Sequence, residues 1–235
     1  MLDIRNLVRG GRAVVSLIKD SDRLDQVFEL VDAVNAQPDA ARRLMETVAQ
    51  DSQLAHAVLK RPRLGRVDMD ALAQLPEGTL GRAFVGFLRQ NGLDPNALPV
   101  READDAVSYL QAHLLETHDL WHVVTGFGPD PVDELGLQAF YLAQNHSRVA
   151  LSIIMTGVIS TFLHRFDRHE AMMTRVTRGW LLGRRAKRLI GTDWKQLMDR
   201  PLEEVRTMFG LDLARVDALL GECEAPRPTA PVAQA

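Results

Sequence analysis

Between residues 101 and 164 the chain carries one strong break, the Gly/Pro-rich string GFGPDP at 126–131, and apolar residues on both sides recur at helical spacing. That pattern restricts the segment to two long helices joined by a tight, antiparallel turn. Runs alternating with period two are scarce elsewhere and aromatic residues make up only 6% of the chain, so strands are not expected. The fold class is therefore all-α, a single multi-helix domain over 1–223. Residues 224–235 (EAPRPTAPVAQA) have the composition of a disordered tail.

Helices are expected over 3–19, over 22–35 after an N-capping Ser21, and over 38–49 and 52–60. A connection follows at 61–78. Thr79 then caps a helix to about Asn91, and GLDPNALP (92–99) is turn chemistry. Long helices are expected over 101–125, 131–164 and 167–190, and short ones over 193–199 and 201–209 close the fold. The run Val149–Leu163 is apolar but interrupted by Ser and Thr and shorter than the roughly 18 residues a bilayer span needs, so it reads as a buried core helix.

With a net charge of -3 the chain is not expected to bind nucleic acid. Cys223 is the only cysteine, which rules out an intrachain disulfide and a thiolate metal cluster. The N-terminal stretch lacks the apolar centre of a secretory signal, so a cytoplasmic location is expected.

The chemistry concentrates in THDLWHVVTGFGPDPVDELGLQAF, residues 117–140. On a helix, His118 and His122 stand one turn apart and point to the same side, with Asp119 at the edge of that face. Glu134 follows His122 after eleven intervening residues, and an antiparallel return past the turn brings it back to the pair. His118, Asp119, His122 and Glu134 are thus candidate ligands of a divalent metal. Zinc is the first expectation, with iron or another first-row metal as alternatives. Gln138, one turn after Glu134, is placed to support it. A zinc-peptidase reading needs Glu where Asp119 stands. A phosphohydrolase of the His-Asp type needs an upstream His, for which His56 and His113 are the available residues.

These residues resemble the coenzyme Q biosynthesis protein 4 family, whose signature is HDxxH, eleven residues, then Glu. LPEGTLGRAFVGFLRQNGLDPNAL (75–98) and PLEEVRTMFGL (201–211) are similar to the family's flanking segments, so the resemblance covers about 70–215. Glu116 and Thr117 stand where the family often has Arg-Glu, and NHSRVAL (145–151) where it often has Gly-Leu-Pro. The resemblance implies an all-α, metal-dependent protein acting on a polyprenylated quinone precursor, with other ubiquinone biosynthesis enzymes as partners. The implied reaction is oxidative decarboxylation, replacing a ring carboxyl by a hydroxyl, with Asp119 and His118 as catalytic residues beside the metal. A non-catalytic lipid-binding scaffold is the alternative, and a homodimer is possible. Peripheral association with the inner face of a membrane is implied as well.

A lipid tail requires an apolar channel, and Leu135, Phe140, Leu142, Val149, Ile153, Ile154, Val158 and Phe162 are its candidate lining. The basic stretch 165–188 reads as a solvated face or as a contact for anionic headgroups, with Trp180 and Trp194 flanking it.

Overall fold

The computed structural model describes residues 39–97 and 100–224, together with 13, 14, 16, 29, 30 and 32–34. It is all-α. Among the described residues the only β-type pairing is an isolated bridge between Thr79 and Pro201. The helices are α1 (Ala40–Gln50), α2 (Ser52–Lys60), α3 (Met69–Ala73), α4 (Leu80–Gln90), α5 (Ala106–Thr125), α6 (Pro131–Asn145), α7 (Arg148–His164), α8 (His169–Arg185), α9 (Leu202–Phe209) and α10 (Leu213–Glu224). The expected helices over 3–19 and 22–35 lie mostly outside the described residues. Ala13 and Leu30 are buried together, with Ile153 of α7 packed against them. The expected tail also lies outside, apart from Glu224, which ends α10.

Capping chemistry fixes several starts. Asp105 accepts from Ser108 N and completes a capping box, so α5 begins at Ala106 rather than at 101. Asp130 accepts from the amides of Val132 and Asp133 and Pro131 opens α6, as its sequence requires. The connection 61–78 contains the short helix α3, capped by Asp68. Asp212 accepts from Arg215 N and starts α10, a helix beyond the expected end of the fold.

The expected single helix over 131–164 is two helices. His146 takes a left-handed conformation (φ 50°) and ends α6, and Ser147 caps α7 by accepting from Ala150 N. The chain folds back there, and α7 packs on α6. The expected helix over 167–190 runs only from His169 to Arg185, after a 3-10 turn at Phe166–Arg168.

The apolar run of α7 is not a core helix. Only Ala150, Ile154 and Thr156 are buried along it, while Met155 is 57% and Phe162 68% exposed. Leu151, Val158, Ile159 and Leu163 are exposed beside them. The core lies elsewhere: Leu80, Phe84 and Leu88 of α4, Leu110, Leu120 and Trp121 of α5, Leu137 and Phe140 of α6, and Leu182 of α8. Trp194 is buried with them, whereas Trp180 is exposed.

Two further contacts shape the site. The segments around 78–81 and 198–202, far apart in sequence, dock through Leu80 N to Arg200 O, Gly81 N to Met198 O and Leu202 N to Gly78 O, each 2.8 Å. Helices α6 and α8 cross at backbone contact, where Gly179 lies against the carbonyl of Gly136 and Gly183 against Phe140 and Ala143.

Candidate metal centre

His118 and His122 project from α5 and Glu134 from the first turn of α6. Their ligand atoms all lie within 4.8 Å of one another, a group that could hold a metal ion. His122 Nε2 is 3.3 Å from His118 Nε2 and 3.3 Å from Glu134 Oε2, and His118 Nε2 is 3.7 Å from Glu134 Oε2. A tetrahedral metal with bonds of roughly 2.0–2.2 Å separates its ligands by about 3.3–3.6 Å. The donor triangle fits that spacing.

Each donor has its own outer partner, which is how metal ligands are oriented. His122 Nδ1 lies 3.2 Å from the carbonyl of Phe127, to which it donates, leaving Nε2 free to face the triangle. His118 Nδ1 is 3.2 Å from the hydroxyl of Tyr141. Gln138 Nε2 donates to Glu134 Oε1 at 2.6 Å, in the supporting role its spacing suggested. The rings are packed in place, with Phe87 stacked on His122 and Trp121 stacked on Tyr141.

The electrostatics favour a positive charge here. Burial alone would lower the His122 pKa, but the hydrogen bond and charge of Glu134, with the charge of Asp119, raise it above the usual imidazole value. Burial alone would raise Glu134, yet the charge of His118 and the hydrogen bond and charge of His122 pull it down to about 2. Burial first, then the charges of Glu134 and Asp119, push the Tyr141 phenol well above its ordinary value, so its hydroxyl keeps its proton. A cation held by the triad would take over the role that a proton on His122 otherwise fills.

Asp119 is partly buried and lines the same cavity as the triad, but it is not one of the three converging donors. The two upstream histidines stand elsewhere. His56 is exposed on α2. His113 is fully buried, donating from Nδ1 to Pro62 O at 3.1 Å and accepting from Gly191 N at 3.0 Å. Burial lowers its pKa, so it is a neutral structural residue with both nitrogens engaged. This leaves a His-Asp phosphohydrolase without its upstream ligand. Thr117 is also buried and donates to His113 O. Glu116 pairs with Arg63 and accepts from Gly65 N. His146 and His164 lie at helix ends, and His169 stacks on Phe166.

The triad opens into a cavity of about 1560 Å³. Leu110, Leu114, Leu135, Val149 and Ile153 supply apolar wall. Of the other expected channel residues, Phe140, Leu142 and Ile154 do not line it and Val158 and Phe162 face outward. The cavity volume exceeds the roughly 300–1,000 Å³ of a typical small-molecule site.

Sequence reasoning did not reveal what holds the end of α5. Arg206 donates from Nε to Val124 O at 3.0 Å and from Nη2 to Val123 O at 2.9 Å. Arg178, buried, donates to Thr125 O at 3.0 Å and to Asp217 at 2.6 Å, and its guanidinium lies 4.8 Å over the Phe127 ring. Two cations thus cap the negative end of the helix that carries both histidines. Arg206→Ala is expected to cost about 1.5–2 kcal/mol, a melting-temperature drop of roughly 3–8 °C for a chain this size. Scanning calorimetry checks this, and an unchanged midpoint would show that water satisfies those carbonyls equally well.

Comparison with known proteins places the chain in a family. Residues 4–214 match the family model described as Coenzyme Q (ubiquinone) biosynthesis protein Coq4, which extends the resemblance to nearly the whole chain. The chain is 29% identical to a mitochondrial ubiquinone biosynthesis protein COQ4 of Yarrowia lipolytica, covering 86% of this chain and 80% of that one. It is 26% identical to a mitochondrial COQ4 homolog of Aedes aegypti, covering 91% and 77%. Among solved structures, it is similar to a candidate ubiquinone biosynthesis protein from Nostoc punctiforme, with a TM-score of 0.76 and 29% identity over 88% of this chain and 99% of that one.

Proposed function

Because the chain belongs to the Coq4 family of coenzyme Q (ubiquinone) biosynthesis proteins, we propose that it binds a polyprenylated benzoate precursor at a divalent metal and replaces the ring carboxyl by a hydroxyl. The observation that carries this reading is the donor triangle of His118, His122 and Glu134, each with its outer partner, at the wall of a large, partly apolar cavity.

Two imidazoles and one carboxylate suit zinc and also ferrous iron, and such a metal would supply Lewis acidity, with iron adding redox capacity. His118, His122 and Glu134 are the residues that would hold it. The remaining work falls to the chain. The apolar wall takes the prenyl tail and excludes water from the ring. Asp119, beside the triad, accepts or returns the proton at the ring position where substitution occurs. In the net change the ring–carboxyl bond breaks and carbon dioxide leaves, water supplies the hydroxyl oxygen as the ring carbon–oxygen bond forms, and two electrons with two protons pass to dioxygen or another two-electron acceptor.

Protein prepared without a histidine tag should contain stoichiometric metal, and a strain lacking the protein should accumulate a carboxylated polyprenyl intermediate on lipid mass spectrometry. A metal-free protein, or a strain with no carboxylated intermediate, sinks the enzymatic reading. Normal quinone levels restored by Asp119→Asn would favour the second reading, a lipid-holding scaffold, for which the size of the cavity is the supporting observation.

No helix among the described residues is long and apolar enough to cross a membrane. The exposed apolar side of α7 is followed directly in the chain by exposed arginines at 165 and 168, which suits the surface of an anionic bilayer. A double variant, Met155→Glu and Phe162→Glu, is expected to lower binding to phosphatidylglycerol vesicles at least about tenfold, since each side chain contributes roughly 1.5–3 kcal/mol when buried. Equal flotation of variant and wild type would refute the contact.

A further inference from the structure

Helix α6 presents four polar side chains on the face that lines the cavity: Glu134, Gln138, Tyr141 and Asn145, spaced four, three and four residues apart. Three of them are engaged. Glu134 faces the histidines, Gln138 holds Glu134, and Tyr141 holds His118. Asn145 is different. Both atoms of its carboxamide are buried and neither has a hydrogen-bond partner among the described residues.

The neighbouring residue shows what this fold does with an amide it uses structurally. Gln144 is not part of the cavity wall; it donates to the carbonyls of Gly183, Ala186 and Lys187, and accepts from Leu189 N at 3.0 Å. Its amide is fully satisfied by backbone. A buried amide left unpaired destabilises a fold, and an apolar residue of similar size would not. Among the described residues, no group of the chain supplies the Asn145 amide with a partner.

We propose that Asn145 is a ligand-recognition residue, whose carboxamide hydrogen-bonds a hydroxyl on the molecule that places its anionic end at the His118, His122 and Glu134 triad. The chemistry selects that class. A hydroxyl donates to Oδ1 and accepts from Nδ2, so one group satisfies both orphaned atoms. Asn145 lies one turn past Tyr141, roughly 6 Å further along the helix axis, which suits a hydroxyl on the far side of a ring whose near side faces His118. The reverse prediction follows for an analogue lacking the hydroxyl. It leaves the amide unpaired and is rejected, as sites built to bind a polar group reject molecules that lack it.

This inference rests on the metal-site reading, and the test separates the two. Metal-loaded wild type and Asn145→Leu are titrated by calorimetry with 3-farnesyl-4-hydroxybenzoate and with 3-farnesylbenzoate, and metal content and melting temperature are measured in parallel. Wild type is expected to prefer the hydroxylated acid roughly tenfold, the value of about one hydrogen bond. The variant is expected to keep its metal, to lose that preference, and to melt at the same or a higher temperature, because an unpaired buried amide has been removed. The same preference in both proteins, or a lower melting temperature with the preference intact, overturns the proposal and makes Asn145 structural. Asn145→Ala provides the same comparison if the leucine does not fit. Loss of metal from wild type, or no binding of either acid to it, fails the metal-site reading instead and takes this inference with it.

Discussion

Replacing His122 with alanine is expected to abolish stoichiometric metal binding. The variant loses one of the three donors and leaves Glu134 without the nearer of its two histidines, at 3.3 Å. It also leaves the Phe127 carbonyl without the imidazole N–H that it accepts. Glu134→Gln should behave similarly, because an amide replaces the anionic donor. Graded effects then follow from the distance to the metal. Tyr141→Phe and Gln138→Ala remove outer partners, so metal should be retained with affinity lowered by roughly 10–100-fold. Asp119→Asn should retain metal and lose turnover, since Asp119 stands outside the donor triangle. His56→Ala, at an exposed position on α2, should change neither. Binding also requires a neutral His122, whose pKa is raised. Affinity should therefore be greatest above that pKa and fall as the pH drops through it, because a proton then competes for Nε2. Inductively coupled plasma mass spectrometry and competition with a chelating dye measure the series. Full metal content in His122→Ala would remove the triad from consideration.

The second large effect is structural. Gly179→Ala would place a methyl carbon 1.8 Å from the Gly136 carbonyl oxygen and 3.1 Å from Phe140 N. Both neighbours are backbone of α6, so no side chain can swing aside, and the two helices must separate. Overpacking typically costs 1–3 kcal/mol, and this contact belongs at or beyond the top of that range, about 3 kcal/mol. For a chain of this size the melting temperature should fall by roughly 6–12 °C. Gly86→Ala is the control. Nothing lies within 4 Å of the added carbon on α4, so the change should be neutral or stabilising by up to about 1 kcal/mol. Because α6 also carries Glu134, Gly179→Ala should weaken metal binding as well as stability.

The convergence of His118, His122 and Glu134 was legible in the sequence because its geometry is local, whereas Asp119, expected with them, is not among the converging donors. One helical turn separates His118 from His122, and the Gly/Pro break forces the return that delivers Glu134. The helix class was legible for the same reason, and so was the Thr79 cap. What escaped was set by contacts distant in sequence. Arg178 and Arg206 cap α5 from helices more than fifty residues away, and nothing in their own neighbourhood points to that role. The break at His146 had a local signal in Ser147, an N-cap residue that a long apolar pattern outweighed. Helix α10 had one too, with Asp212 as cap and Val216 and Leu220 as its buried face. The apolar run of α7 was misplaced because hydropathy does not distinguish a helix facing the interior from one exposed on the outside.

All three donors fall within residues 118–134, and the turn between their helices is closed by short-range contacts. A bound ion here therefore ties together a loop that is already short, and its contribution from restricting the unfolded chain is small, since loop-closure entropy grows with the length enclosed. Stripping the metal should loosen the tip of one helical hairpin and leave the bundle standing. Metal exchange and global unfolding are then separate events. The apoprotein would keep its helical signal under chelation and could be reloaded with a chosen ion without a refolding step.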